Sequence, residues 1–374
     1  MSPKPAAADV VIIGGGVVGC SIAWRLAQAG RDVLVLERAI PGAEASSAAG
    51  GILAAQEESV GPSAFTELSL RSRARFADVA AELREATGVD IGYRECGVLS
   101  IAFSAKEEAD LERRYGWQRD GGHALEWLRG AALHRREPAL SPEALAGLWF
   151  PADGQVEPRS YLRALALAAA GAGARFSSGA YVRRVVSDGR RVAGVELEGE
   201  VIAARHVVIA AGSWSSLIDG ADLPPRAVRP MRGQIAKLET RPPAIHGTVT
   251  CRAGYLVGRA DGSILAGSTM ELVGYDKRVT AGGLRHVLDV AIRLAPALAD
   301  APVTETWANF RPVTDDELPI LGPTDIEGLL LATGHFRNGI LLSPITADII
   351  TELVVSGRTT IDLSTFRRAR LAAT

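Results

Sequence analysis

The chain has 374 residues, with 41 Lys+Arg against 43 Asp+Glu and a formal net charge of −2, which suggests roughly two domains or one composite domain and no basic surface for nucleic acid. No run approaches the ~18 uninterrupted apolar residues of a membrane span, and the opening MSPKPAAADVVIIGGG has no separate apolar core followed by a small-residue cleavage site. Cys20, Cys96 and Cys251 are few, odd in number and dispersed, which argues against a disulfide framework or a cysteine zinc site and for a reducing, cytoplasmic setting.

Glycine is in excess, 40 of 374 residues, about one in nine against roughly 7% in ordinary proteins. Its first concentration follows residues 9–13 (DVVII), a β-branched run that predicts a strand buried on both faces. Residues 17–29 predict a helix with Val18, Ile22, Leu26 and Ala29 on one face and Gly30 as its C-terminal stop. Residues 31–37 (RDVLVLE) predict the next strand. The unit carries G-x-G-x-x-G at Gly14, Gly16 and Gly19. Gly14 suits the tight turn, Gly16 the close approach of a pyrophosphate, and Gly19 close helix–strand packing. The helix N-terminus offers free N–H groups to phosphates. Glu37 ends the second strand, where an acid accepts ribose hydroxyls and disfavours a 2′-phosphate. Arg38 beside it reads as a solvated or stacking side chain. A purely structural glycine turn is the weaker alternative, and the unit alone does not choose between FAD and NAD.

The continuation favours FAD. Residues 41–55 (PGAEASSAAGGILAA) form a loop of small residues, followed by a polar helix over 64–87. A strand is predicted at 97–103, a charged helix at 105–121, an Ala-rich helix at 161–172 and a hairpin over 181–197 turning at 187–190. Residues 203–213 (AARHVVIAAGS) centre on a buried strand at 207–209 that returns to the nucleotide part after a long insertion. Strands follow at 233–239, 255–257 and 264–267, a helix at 284–298, and strands at 304–311 and 329–332. Residues 334–339 (GHFRNG) turn into a helix from 340, whose N-terminus suits the electron-rich edge of a flavin.

SSAAGGILAA, VVIAAGSWS, WANFRP and GHFRNGILLSP together resemble the D-amino-acid-oxidase family of flavoproteins, and within it the glycine oxidases, which supply glycine imine for the thiazole of thiamine. The likeness runs in order from about residue 8 to 368. It implies an α/β fold: a glutathione-reductase-like, Rossmann-type FAD-binding domain from about 1–85, 145–222 and 318–374, and an α+β substrate domain with an antiparallel sheet from about 86–144 and 223–317. It also implies FAD contacts piece by piece. Val17 and Val18 join the glycine loop, and Glu37 and Arg38 meet the ribose. Ala45, Ser46, Ser47, Gly50, Gly51 and Ile52 line the pyrophosphate and ring. Val182 meets the adenine, with Ala211, Gly212 and Trp214 nearby. Gly334, His335, Phe336, Arg337, Asn338, Gly339, Ile340 and Leu341 hold the flavin edge.

Such chemistry moves the α-hydrogen to flavin N5 as hydride, so the flavin does the electronic work and the protein needs a carboxylate clamp and shaping groups rather than a strong base. Arg311 is the clamp candidate, its planar fork matching two carboxylate oxygens. The structural alternative is an ion pair with Asp315 or Asp316. By the same resemblance Tyr255 donates to the substrate carboxylate, Arg337 faces the substrate, and Met270 is an active-site methionine; a half-buried strand tyrosine, a flavin-only arginine and a core gap-filler are the plainer readings. The family often has a histidine two residues before that tyrosine. Ala253 stands there, which implies a larger or less polar wall and room for sarcosine or small D-amino acids beside glycine. His335 reads as a cap of the flavin loop. No cysteine follows Cys251, so FAD is expected to be non-covalent. The expected products are an oxo acid, ammonia and H2O2, with O2 as acceptor. A dehydrogenase passing electrons to a quinone or carrier protein is the alternative. The resemblance also implies a homotetramer.

Overall fold

Strand Ala7–Ile13 lies at the centre of the first sheet, parallel to Val33–Glu37 on one side and to Val201–Ile209 on the other, with Val11 opposite both Leu34 and Val207. This computed structural model describes residues 7–373; the expected domain ends at residues 1–6 and 374 lie outside the described residues. Arg175–Ser178 extends the sheet beyond Val33–Glu37, and Leu329–Thr333 extends it beyond Val201–Ile209, both in parallel. Ile320–Pro323 closes the latter edge antiparallel. The hairpin Arg184–Ser187 and Val192–Glu196 branches from Val201–Ile209.

The apolar run of the first strand is buried on both faces because alternate side chains enter different cores. Val10 and Ile12 pack with helices Val17–Gln28, Pro158–Gly171 and Gly339–Ser356, while Val11 and Ile13 pack with the hairpin and its neighbours. Helix Val17–Gln28 is flanked by the two other helices, so its burial extends beyond the predicted Val18–Ile22–Leu26 stripe to Cys20, Ala23 and Trp24. It stops at Gln28, which leaves Ala29 exposed, and Gly30 takes a positive φ of 74° just beyond. The Ala-rich helix begins at Pro158, earlier than expected, because Pro suits the first helical position and the Glu157 carboxylate accepts the N–H groups of Arg159 and Ser160. The expected 64–87 helix is two, Ala64–Ala74 and Phe76–Thr87, meeting at Arg75, which ion-pairs with Asp348. Phe336–Ser356 is long and apolar enough to cross a membrane, with a mean hydropathy of 1.5, but 61% of that window is buried inside the protein, as in a core helix.

The second sheet runs Val303–Val313, Arg229–Glu239, Ser263–Gly267, Gly254–Gly258, Thr248–Cys251, Val98–Ala102, Ala146–Phe150, Glu126–Arg129. All pairs are antiparallel except Thr248–Cys251 with Val98–Ala102. Helix Ala281–Leu294, capped by the Thr280 hydroxyl, packs Val287, Ala291 and Leu294 on it. Ala146–Phe150 belongs to this sheet, so the change from one sheet to the other falls after 150 and not at 145.

Candidate active site

The two sheets face a shared cavity of about 550 Å³, within the usual range for cofactor and ligand sites. One end is built by the glycine loop. Gly14 has φ 110°, and a Cβ there would stand 2.5 Å from the Ala210 carbonyl oxygen; a Cβ on Gly19 would stand 1.9 Å from the Gly14 oxygen. Gly14 is thus required by the turn and Gly19 by helix–strand packing, while Gly16 borders the cavity. The Val17 N–H donates to Ser46 Oγ at 2.9 Å. Glu37 accepts from the N–H groups of Gly15 (2.8 Å) and Ala39 (2.9 Å). Arg38 stacks its guanidinium 3.8 Å over Trp214 and pairs with Glu44. Trp214 in turn stacks on Tyr275.

The small-residue loop crosses to the second sheet. Arg259 donates to the Gly50 carbonyl at 2.7 Å and to the Val156 carbonyl at 2.8 Å, and Trp307 Nε1 donates to the Ala48 carbonyl at 3.0 Å. Further along, Leu329–Thr333 leads through Gly334 (φ 73°) and Phe336 (φ 46°, left-handed without being glycine) into helix Gly339–Ser356. Its capping residue Asn338 makes no side-chain cap bond, and Asn338, Gly339 and Ile340 at this helix N-terminus line the cavity. His335 is buried, with Nε2 3.1 Å from Thr346 Oγ1. Burial pushes its imidazole down to about 4, so it is neutral at physiological pH, as a loop cap requires.

Arg311 lies on Val303–Val313, where Met231 is its partner across the pair. Its Nη1 donates to the Thr269 carbonyl at 3.2 Å and its Nη2 to the Ser268 hydroxyl. Asp315 is taken by Arg229 and Asp316 by Arg370 at 2.6 Å, so the structural alternative fails. Burial lowers the Arg311 pKa; Arg337 acts in the same direction, and Tyr255 and Glu58 oppose it. The guanidinium lies against Gly233, where a Cβ would meet Nη1 at 2.3 Å. The Tyr255 ring lies between Gly50 and Gly267: added Cβ atoms would stand 3.2 Å from its hydroxyl and 2.5 Å from Cζ, respectively. Arg337, 42% exposed, has its Nε 3.4 Å from Glu58 Oε2.

Most expected site residues line this cavity, including Ala45, Ser46, Gly51, Ile52, Val182, Ala211, Gly212 and Phe336. Gly19, Ser47, Gly334 and Leu341 do not. Gly19 lies beneath the loop, and the Ser47 hydroxyl turns back to the Glu44 carbonyl. Gly334 shapes its turn against Thr314, and Leu341 points into the core, 1% exposed. Met270 is 58% exposed at the rim, which rules out the gap-filler reading and also a buried wall position. Ala253 lines the wall, and His286 approaches its carbonyl at 3.4 Å without lining the cavity. Cys251 also lines it, with its thiol pKa raised by burial.

Glu57, Glu58 and Gly233 were not anticipated. Gly233 opens the predicted strand but lies inside the observed one, Arg229–Glu239, where a lone glycine marks close approach. Nothing local points to Glu58, whose partners are Arg337 and Asn338. The chain before it is held by Asp153, fully buried, which accepts from the N–H groups of Gln56 (3.1 Å) and Glu57 (2.9 Å) and from Arg73 (2.6 Å). Burial raises Asp153 to about 6 against the pull of Arg73. Burial likewise raises the Glu58 pKa.

A cavity running from a glycine loop past a second helix N-terminus to the Arg311 guanidinium has the parts a flavin dinucleotide needs: bare backbone for the phosphates, a helix N-terminus for the ring edge, and space beyond. Residues 9–353 match the family DAO, FAD dependent oxidoreductase. The chain belongs to this family of FAD-dependent oxidoreductases. It is 38% identical over 365 residues to a glycine oxidase of Geobacillus kaustophilus, covering 97% of each. A crystal structure of glycine oxidase from that organism superposes with a TM-score of 0.94 at 36% identity, covering 98% of this chain and 99% of the other. The chain is also 37% identical over 366 residues to a bifunctional protein ThiO/ThiG of Nostoc, with 97% of this chain aligned. It spans about half of that relative's length, 55%. This family member is therefore an FAD-dependent oxidoreductase.

Proposed function

We propose that this oxidoreductase oxidises glycine and other small amines, such as sarcosine and small D-amino acids, and that it supplies glycine imine for thiazole synthesis. The observation that carries the substrate class is Arg311: a half-buried guanidinium with no carboxylate partner among the described residues, opening into the cavity that the flavin-edge turn also lines. FAD would supply a two-electron acceptor for the α-hydrogen and its bonding pair; O2 would take up that hydride together with the proton lost from the amine to give H2O2, and imine not passed on would be hydrolysed by water to oxo acid and ammonia.

The chain's own residues bind and orient. Arg311 takes the substrate carboxylate in its fork, and Tyr255, held between Gly50 and Gly267, donates its hydroxyl to the same group. Neutral His335 fixes the turn that presents the helix N-terminus. Ala253 leaves space for an N-methyl or a small side chain. The cofactor part is assembled around the first sheet and the substrate part around the second, with the boundary near 151. The cysteine in the cavity, Cys251, is a poor nucleophile with its thiol pKa raised, which supports dissociable FAD. The likeness to a fused ThiO/ThiG protein supports the thiamine role.

Arg311→Ala is expected to cost about 2–5 kcal/mol of carboxylate recognition, read as a lower kcat/KM for glycine in peroxide-coupled assays. An unchanged value removes the clamp assignment. An oxygen-electrode trace decides the acceptor: uptake with glycine alone marks an oxidase, and uptake only after a quinone is added marks a dehydrogenase.

A further inference from the structure

Three charged side chains meet at the substrate end of the cavity: Arg311, Arg337 and Glu58. Glu58 Oε2 lies 3.4 Å from Arg337 Nε and accepts from Asn338 Nδ2 at 3.0 Å. The neighbouring acid is already engaged. Glu57 Oε1 accepts from the Thr250 hydroxyl at 2.9 Å and lies 3.6 Å from Arg114 Nη1. Arg252 is exposed at the rim, where solvent screens it. Around the substrate end the charges facing one another are therefore the enclosed Arg311, the Glu58 carboxylate, and Arg337, which is 42% exposed but tied to Glu58.

One substrate carboxylate on Arg311 brings this set to neutrality, which a partly desolvated site favours. A second substrate carboxylate would find Arg337 taken and would face the Glu58 carboxylate. Such a repulsive element is the usual way to reject a near-relative of the preferred ligand. The Asp153 anchor fixes the chain just before Glu58, so the acid is held at this wall and not free to swing away. We propose that Glu58 is a specificity-determining residue: it occupies Arg337 and thereby restricts the site to substrates with one carboxylate, excluding amines that carry two.

The inference rests on the assignment of this cavity as the amino-acid site, and the test separates the two. The FAD-loaded enzyme is titrated at neutral pH and fixed ionic strength with acetate, a monoanion, and with malonate, a dianion, following the flavin absorbance. The wild type is expected to bind acetate in preference. Glu58→Gln raises the affinity for malonate relative to acetate by about tenfold or more, and Glu58→Asp, which keeps the charge, restores most of the wild-type ratio. The kcat/KM ratio of iminodiacetate to glycine shifts the same way. Arg337→Gln lowers the malonate ratio, a second route should Glu58→Gln fail to fold or to hold FAD. If acetate binds but the ratio is unmoved in whichever variant holds FAD, the role of Glu58 is overturned while the site stands. If the wild type binds neither acid and does not turn over glycine, both assignments fall.

Discussion

Gly233 acts through the side chain it lacks. Its backbone is the floor on which the Arg311 guanidinium lies, and a methyl there would come within 2.3 Å of Nη1. The obstacle is the far end of a flexible side chain, so Gly233→Ala should leave the fold intact and displace the clamp. A loss of about 10- to 100-fold in kcat/KM for glycine is expected, since misplacement by about 1 Å can cost that much; an unaltered melting temperature together with unaltered kinetics would count against it. His335 is the other residue with a measurable signature. In the unfolded chain it protonates near its ordinary 6.5, but in the native protein burial holds it to about 4. Between those values the unfolded state binds more protons, so its contribution is intact above 6.5 and is lost as pH falls toward 4, on the order of 3 kcal/mol in all. Urea unfolding of the wild type and His335→Gln at pH 7.5, 5.5 and 4.5 should show the wild type losing more stability on acidification. Parallel pH dependences would disprove the assignment. That Arg311 and Tyr255 border the cavity was legible, because residue type and the motifs around them point there. Glu58 was not, because a glutamate in a loop carries no sign of the arginine it will meet.

At the scale of the element, the segment after the small-residue loop is the informative one. It has no long helix or strand of its own, yet its backbone is fixed by Asp153, whose carboxylate accepts two N–H groups and the Arg73 guanidinium from within the core. Removing the acid leaves both N–H groups without their acceptor and Arg73 with only the Gln56 Oε1 acceptor and no counter-charge. Asp153→Ala should therefore destabilise by about 3–5 kcal/mol, with Asp153→Asn costing less; chemical denaturation gives both numbers, and a cost below about 1 kcal/mol for the alanine variant would show that the anchor is dispensable. Elements with a local signal were readable, among them Val17–Gln28 by its apolar stripe, Ala105–Asp120 by its run of charged helix formers and the hairpin by its turn residues. Short strands such as Glu126–Arg129, Thr248–Cys251 and Ile320–Pro323 were not. Four residues cannot display a period, and their strand character comes from the neighbour they pair with.

At the scale of the whole molecule, the cavity exists only because four distant segments converge: the glycine loop, the 45–58 loop, the 210–214 turn and the 335–340 turn, closed by the second sheet. A ligand spanning all of them should stabilise the molecule globally, by about 4 kcal/mol at a thousandfold excess over its dissociation constant. Heat or acid denaturation should release all the FAD into the supernatant, with fresh FAD raising the melting temperature of the apoprotein. Flavin fluorescence retained in a washed, denatured pellet would instead mean covalent attachment. The sequence by itself determined the dinucleotide unit and its acidic terminus, the family motifs and the position of Arg311 in one of them, because turns, helical stripes and residue chemistry are written within a few neighbouring positions. Only the tertiary structure decided that Ala146–Phe150 joins the second sheet, that Gly233 carries Arg311, and that Glu58 meets Asn338, 280 positions away. Those outcomes depend on which segments pack together, and no local pattern encodes the partner of a side chain that lies so far along the chain.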